Sequence, residues 1–110
     1  MGTTNLDTLS LGTGLQVGAG NVTILNIDKY TPALTPVSVA ANTTAEQTFT
    51  VTGLQATDFV MVNKPTAQAG LGIVGVRASG ANTLAITYVN ATAAPIVPTA
   101  ETYLVFTFSS

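Results

Sequence analysis

Gln47-Thr48-Phe49-Thr50-Val51-Thr52-Gly53 alternates apolar and hydroxylated side chains and then stops at a glycine. Phe49 and Val51 share one face and Thr48, Thr50 and Thr52 the other, the period of two that a half-buried antiparallel strand requires. Outward from this stretch, short runs of the same kind recur at the spacing of a sandwich or barrel. Asp58 to Asn63 is apolar on both faces and is stopped by Pro65, which cannot donate to a ladder, so it reads as a buried strand. Ile73 to Ala78 and Thr83 to Asn90, separated by Ser79-Gly80-Ala81-Asn82, read as a hairpin. The first arm sets Val74, Val76 and Ala78 against Ile73, Gly75 and Arg77. The second sets Leu84, Ile86 and Tyr88 against Ala85, Thr87 and Val89.

After Pro95 and Pro98 the segment Thr102 to Phe108 closes the chain, with Leu104, Phe106 and Phe108 alternating against Tyr103, Val105 and Thr107. Phe49, Leu84, Ile86, Phe106 and Phe108 are the expected inward-facing set. No long stretch places apolar residues at helical spacing, so the expected fold is all-β: an antiparallel β-sandwich, jelly-roll-like, or a small barrel. The first 36 residues differ. Leu6, Leu9, Leu11, Leu15 and Val17 alternate loosely with Gly12, Gly14, Gly18 and Gly20, and glycine raises the cost of ordering a segment alone. The division expected is an extended N-terminal arm over residues 1–20 and one β-sandwich domain over 21–110. Val22 to Ile27 adds one strand, and Pro32 and Pro36 precede the main module.

The 110 residues suffice for one core, and 46% hydrophobic residues with a mean hydropathy of +0.46 favour a packed chain. Only 7% of residues are charged, against roughly 25% in an ordinary domain. Threonine, glycine, asparagine and serine supply the remaining polarity. Lys29, Lys64 and Arg77 are the only basic residues and the net charge is -2, so neither nucleic acid nor an anionic membrane is an expected partner. His and Cys are absent, which removes the commonest general base, the soft metal ligands and any disulfide. No catalytic, cofactor-binding or metal-binding residues are expected, and the chain reads as non-enzymatic. The opening residues lack a basic region ahead of an apolar run, so no signal peptide is expected either.

Gly70-Leu71-Gly72-Ile73-Val74-Gly75 matches the G-x-G-x-x-G of dinucleotide-binding sites letter for letter. That motif requires a strand leading into a helix and an acidic residue about 20 positions on. Here strand-type residues follow and Ala91 to Val97 holds no carboxylate, so the glycines read as a bend with close strand packing. Asn21, Asn42 and Asn90 begin glycosylation sequons in form, and no modification is expected of them. Asp7, Asp28, Glu46, Asp58 and Glu101 are spread singly, as solvated positions or turn caps, with Asp58 suited to an Asx-type turn. Ser10, Ser38 and Ser79 lack the G-x-S-x-G context of a nucleophile.

From Val39 to Phe108 the chain resembles a small module of tailed-bacteriophage virion proteins. The resemblance rests on AANTTAEQTFTVTGLQATDFVMVNKP, AGLGIVGVRASGANTLAITYVNATAAPIVP and ETYLVFTF, in that order and spacing. It implies a structural role in the virion, commonly as a homotrimer. One module with one arm is most like a head decoration or cement protein on the capsid surface, made in the host bacterial cytoplasm. The partners implied are other copies of itself and the major capsid protein or another virion protein. In that setting Leu6, Leu9, Leu11, Leu15 and Val17 are the candidate capsid-contacting residues. The alternative is a receptor- or glycan-binding module of a tail tip or fibre, with Tyr88, Tyr103 and surface asparagines doing the binding.

Overall fold

A computed structural model of the chain describes residues 26 to 109; the arm residues Leu6, Leu9, Leu11, Leu15 and Val17 lie outside them. The described residues form strands β1 (Asn26–Tyr30), β2 (Ala33–Leu34), β3 (Thr43–Thr50), β4 (Phe59–Asn63), β5 (Leu71–Gly80), β6 (Thr83–Asn90), β7 (Glu101–Thr102) and β8 (Leu104–Ser109), with no helix among them. The fold is all-β and its pairings are all antiparallel. One sheet runs β1-β8-β4 and the other β3-β6-β5, while β2 and β7 pair as a short ribbon. The chain crosses between the sheets after β1 (through β2), after β3, after β4 and after β6 (through β7), which makes the arrangement a small β-sandwich.

The decisive stretch behaves as its alternation requires. Phe49 is half-buried, Val51 is buried, and Thr48, Thr50 and Thr52 face solvent. In β6, Leu84, Ile86 and Tyr88 are wholly buried and sit opposite Phe49, Gln47 and Ala45 of β3. They form the core with Val39, Val51, Leu54, Val60, Tyr103 and Val105, drawn from both sheets. Burying such an aliphatic side chain contributes about 1.5–3 kcal/mol. The turns are fixed by asparagine and glycine. Asn82 takes a φ of 58° in the two-residue turn between β5 and β6, where its side chain accepts from Gly53 N at 2.8 Å. Asp58 Oδ2 accepts from Gln55 N at 3.1 Å, while Gln55 O accepts from Asp58 N, closing the turn ahead of β4.

Three expectations fail against this architecture. In β8 the alternation is as read but the faces are exchanged: Tyr103, Val105 and Thr107 point inward, Phe106 is 39% exposed and Phe108 is only partly buried. β4 is not a strand buried on both faces, since Val60 is buried while Phe59 and Met61 stand in solvent. In β5 a bulge between Ile73 and Gly75 leaves Val74 unpaired and 62% exposed. One extra residue shifts the alternation, so Ile73 joins Val76 and Ala78 on the core side and Val74 leaves it.

Gly70, with a φ of +77°, opens β5 by a turn, and a Cβ there would overlap Thr92 Cγ2. The G-x-G-x-x-G letters thus lie in a turn and a strand with no helix following, and serve bend and packing rather than a phosphate-binding helix start.

Candidate functional site

The two sheets present very different outer surfaces. Across β3-β6-β5 the register sets Thr44, Val89 and Gly72 in one row, Glu46, Thr87 and Gly75 in the next, then Thr48, Ala85 and Arg77. Small and hydroxylated side chains dominate, as on a face kept largely in water, although Ala85 on the central strand is wholly buried. Arg77 reaches across β6 to Glu46 in a two-pronged pair, Nε to Oε2 at 3.0 Å and Nη2 to Oε1 at 2.9 Å. The hydrogen bond from Arg77 holds the Glu46 carboxyl below the usual carboxylate range. Such an exposed pair contributes little to stability.

Across β1-β8-β4 the rows are Ile27, Phe108 and Phe59, then Lys29, Phe106 and Met61, then Leu104 beside Asn63. Directly opposed side chains on one face of an antiparallel sheet touch, and the rings of Phe59 and Phe108 lie 6.0 Å apart at a tilt of 39°. Ile27 is 53% exposed, Phe59 63% and Met61 53%. Taking roughly 200 Å² for a whole side chain of this size, these three and Phe106 leave on the order of 400 Å² of contiguous apolar surface in water. That lies within the about 300–600 Å² typical of the largest patch on a soluble monomer, a patch that is often functional. This face is the candidate site. Alternation alone puts Phe106 and Phe108 in the core and β4 between two buried faces; the structure puts Phe59, Met61 and Phe106 on this open face. In the sequence, the apolar character of both faces of Phe59 to Asn63 and of Ile73 to Ala78 points to neighbouring subunits, and of these two stretches only the first lies on this face.

A second feature lies where the β4–β5 connection meets β7. Lys64 Nζ sits 3.0 Å from Glu101 Oε2, and both side chains are about nine-tenths covered. Thr66 Oγ1 donates to the same carboxylate oxygen at 2.7 Å, and Lys64 Nζ also donates to Thr66 O at 2.7 Å. Gln68 fastens the loop further, donating to Val97 O and accepting from Thr99 N. A recess of about 170 Å³ beside this cluster is lined by Lys64, Thr66, Gln68, Leu71 and Ile73. The polar groups of the recess are bonded within the chain, so it fits an aliphatic group better than an ion.

Burial opposes the charged form of Glu101, but the bonds from Thr66 and Lys64 together outweigh it and hold the carboxyl below its usual range. A lowered acid stabilises the fold above its unfolded value, about pH 4.3, and that contribution is lost as pH falls through the folded value. The melting temperature is therefore expected to drop between about pH 5 and pH 3, and Glu101→Gln to flatten part of that drop in a thermal scan. An acid limb identical in the variant would show that the pair is stability-neutral.

Tyr88 and Tyr103, the candidate glycan-binding aromatics, are wholly buried, with their hydroxyls 2.9 Å apart. Burial, before any other cause, pushes both phenols above the usual range. Their contact ties β6 to the residue between β7 and β8, and neither offers a binding surface. Asn90, in sequon form, is also wholly buried. Among the described residues no group of three or more Asp or Glu is placed to hold a metal, and no helix is long and apolar enough to cross a membrane. No family model, curated protein or solved structure matches the chain.

Proposed function

We propose that this chain is a non-enzymatic bacteriophage virion structural protein, a trimeric head decoration or cement protein that binds and stabilises the major capsid shell. The observation that supports it best is the contrast between the two outer faces: one hydroxylated and small, the other an open row of phenylalanine, methionine and isoleucine. A chain of low charge with one strongly apolar face is built for protein–protein contact. The resemblance of Val39 to Phe108 to virion modules narrows the kind of assembly.

In this reading Leu6, Leu9, Leu11, Leu15 and Val17 make the capsid contact. Such a segment can add main-chain hydrogen bonds to an exposed sheet edge and set alternate side chains in pockets. Many equivalent sites and several arms per oligomer then multiply weak contacts. Purified full-length protein is expected to co-sediment with undecorated heads, saturating at a fixed ratio to the capsid lattice. Removal of residues 1–20 is expected to weaken that binding on the order of 100-fold, with folding and self-association retained. If the shortened chain binds heads as well as the full one, the contact lies elsewhere, on the loops Gly53–Asp58 or Asn90–Pro98. Failure of the full chain to bind any undecorated head would remove the proposal.

A further inference from the structure

We infer that the outer face of the β1-β8-β4 sheet is covered by a second copy of this chain, with Phe59, Met61, Phe106 and Phe108 at the centre of the contact. The inference rests on the preceding reading only in taking self-association as given, and it names the surface responsible.

Area is the first argument. A stable interface removes about 800 Å² per partner, and in homo-oligomers about 65% of that is apolar, or roughly 500 Å². The on the order of 400 Å² offered by Ile27, Phe59, Met61 and Phe106, extended by the half-buried Phe108 and Leu104, approaches that amount. The hydroxylated face of the other sheet offers nothing comparable.

Charge is the second argument. Across the three rows Lys29 is the only charged side chain, at the β1 edge, and Asn63 the only other polar one, at the β4 edge. A face with so few directional groups does not select a partner by complementary charge, whereas apolar surface of equal extent on another copy matches it without unpaired groups. Repulsion between copies is weak too, because the net charge is -2. The centre is aromatic with methionine, the residue types enriched at interface cores, and the polar groups form a rim.

The test uses the full-length chain in sedimentation equilibrium from low micromolar concentration upward. The natural chain is expected to sediment as an oligomer. The double variant Phe59→Glu/Met61→Glu is expected to sediment as a monomer with an unchanged circular dichroism spectrum, because both side chains are more than half exposed. Its self-association is expected to weaken by roughly 100-fold or more, as when two central contacts each worth about tenfold are replaced by charge.

A natural chain that stays monomeric at about 100 μM, far above the range of a specific oligomer, would overturn the inference, whether residues 1–25 or a foreign protein then cover the face. A double variant that associates as tightly as the natural chain would overturn it equally. Should the double variant fail to fold, Met61→Cys decides, since the chain has no other cysteine. Its thiol is expected to react with a bulky maleimide slowly in the oligomer and fast at dilutions where the chain dissociates, and equal rates while the oligomer persists would place the contact elsewhere. Head binding is read separately: an oligomer that never binds heads removes the capsid role and leaves this surface standing.

Discussion

Leu84→Ala is expected to cost the fold about 2–5 kcal/mol, the range for truncating a buried leucine when the surroundings cannot close the cavity. Leu84 is wholly buried near the start of the central strand β6, with Phe49 opposite on one side and Ala78 on the other. Neither flanking strand is free to move inward, because each is bonded along its length to β6. Phe106→Ala is expected to cost about 1 kcal/mol in the dissociated chain, since the ring lies on an outer face and its removal opens no internal cavity. Chemical denaturation of both variants in the Phe59→Glu/Met61→Glu background separates the two effects. Equal losses would mean that β8 presents Leu104, Phe106 and Phe108 to the core after all.

That contrast marks the boundary of what alternation can say. The period of two in β3, β6 and β8 is visible in the letters, and it yields strands, hairpin and all-β class without further information. It does not say which face of β8 is inside, because both faces are apolar enough to be buried. What decides is volume. β6 already fills the interior with Leu84, Ile86 and Tyr88, so the facing strand supplies the smaller Val105 and Thr107 and turns its phenylalanines outward. Tyr103, in the single residue between β7 and β8, enters with its hydroxyl 2.9 Å from that of Tyr88, a pairing between residues far apart in the fold's strand order. The bulge at Val74 is hidden for a related reason: an extra residue in a run of valine, isoleucine and glycine leaves no mark on composition. The candidate site was legible only as an apolar excess in Phe59 to Asn63, since a face is assembled from three strands far apart in sequence.

Asn90→Asp is expected to destabilise the fold at pH 7 by about 3–5 kcal/mol, the cost of leaving a buried charge uncompensated, and to do so although the two side chains are nearly the same shape. Asn90 ends β6 wholly buried. Its amide nitrogen donates to Val39 O at 3.0 Å and Ala94 O at 2.8 Å, while its oxygen accepts from Thr92 N at 2.9 Å and Thr92 Oγ1 at 2.7 Å. These bonds tie the turn after β6 to the strand-like segment at Val39, which itself pairs with Ile96. An aspartate keeps the two accepted bonds but turns an oxygen toward two carbonyl oxygens, with no cation among the bonded groups. The carboxyl must then ionise against burial and repulsion, so its folded value rises above the ordinary one of about 3.9. A raised acid carries its penalty above the unfolded value and loses it as pH falls, because the protonated acid can donate once more to Val39 O or Ala94 O. The deficit of the variant is therefore expected to shrink between about pH 6 and pH 3, opposite in direction to the acid loss at Glu101. Denaturant midpoints of the two chains at both ends of that range measure it. A deficit independent of pH would show that the lost donor bonds, not the charge, set the cost.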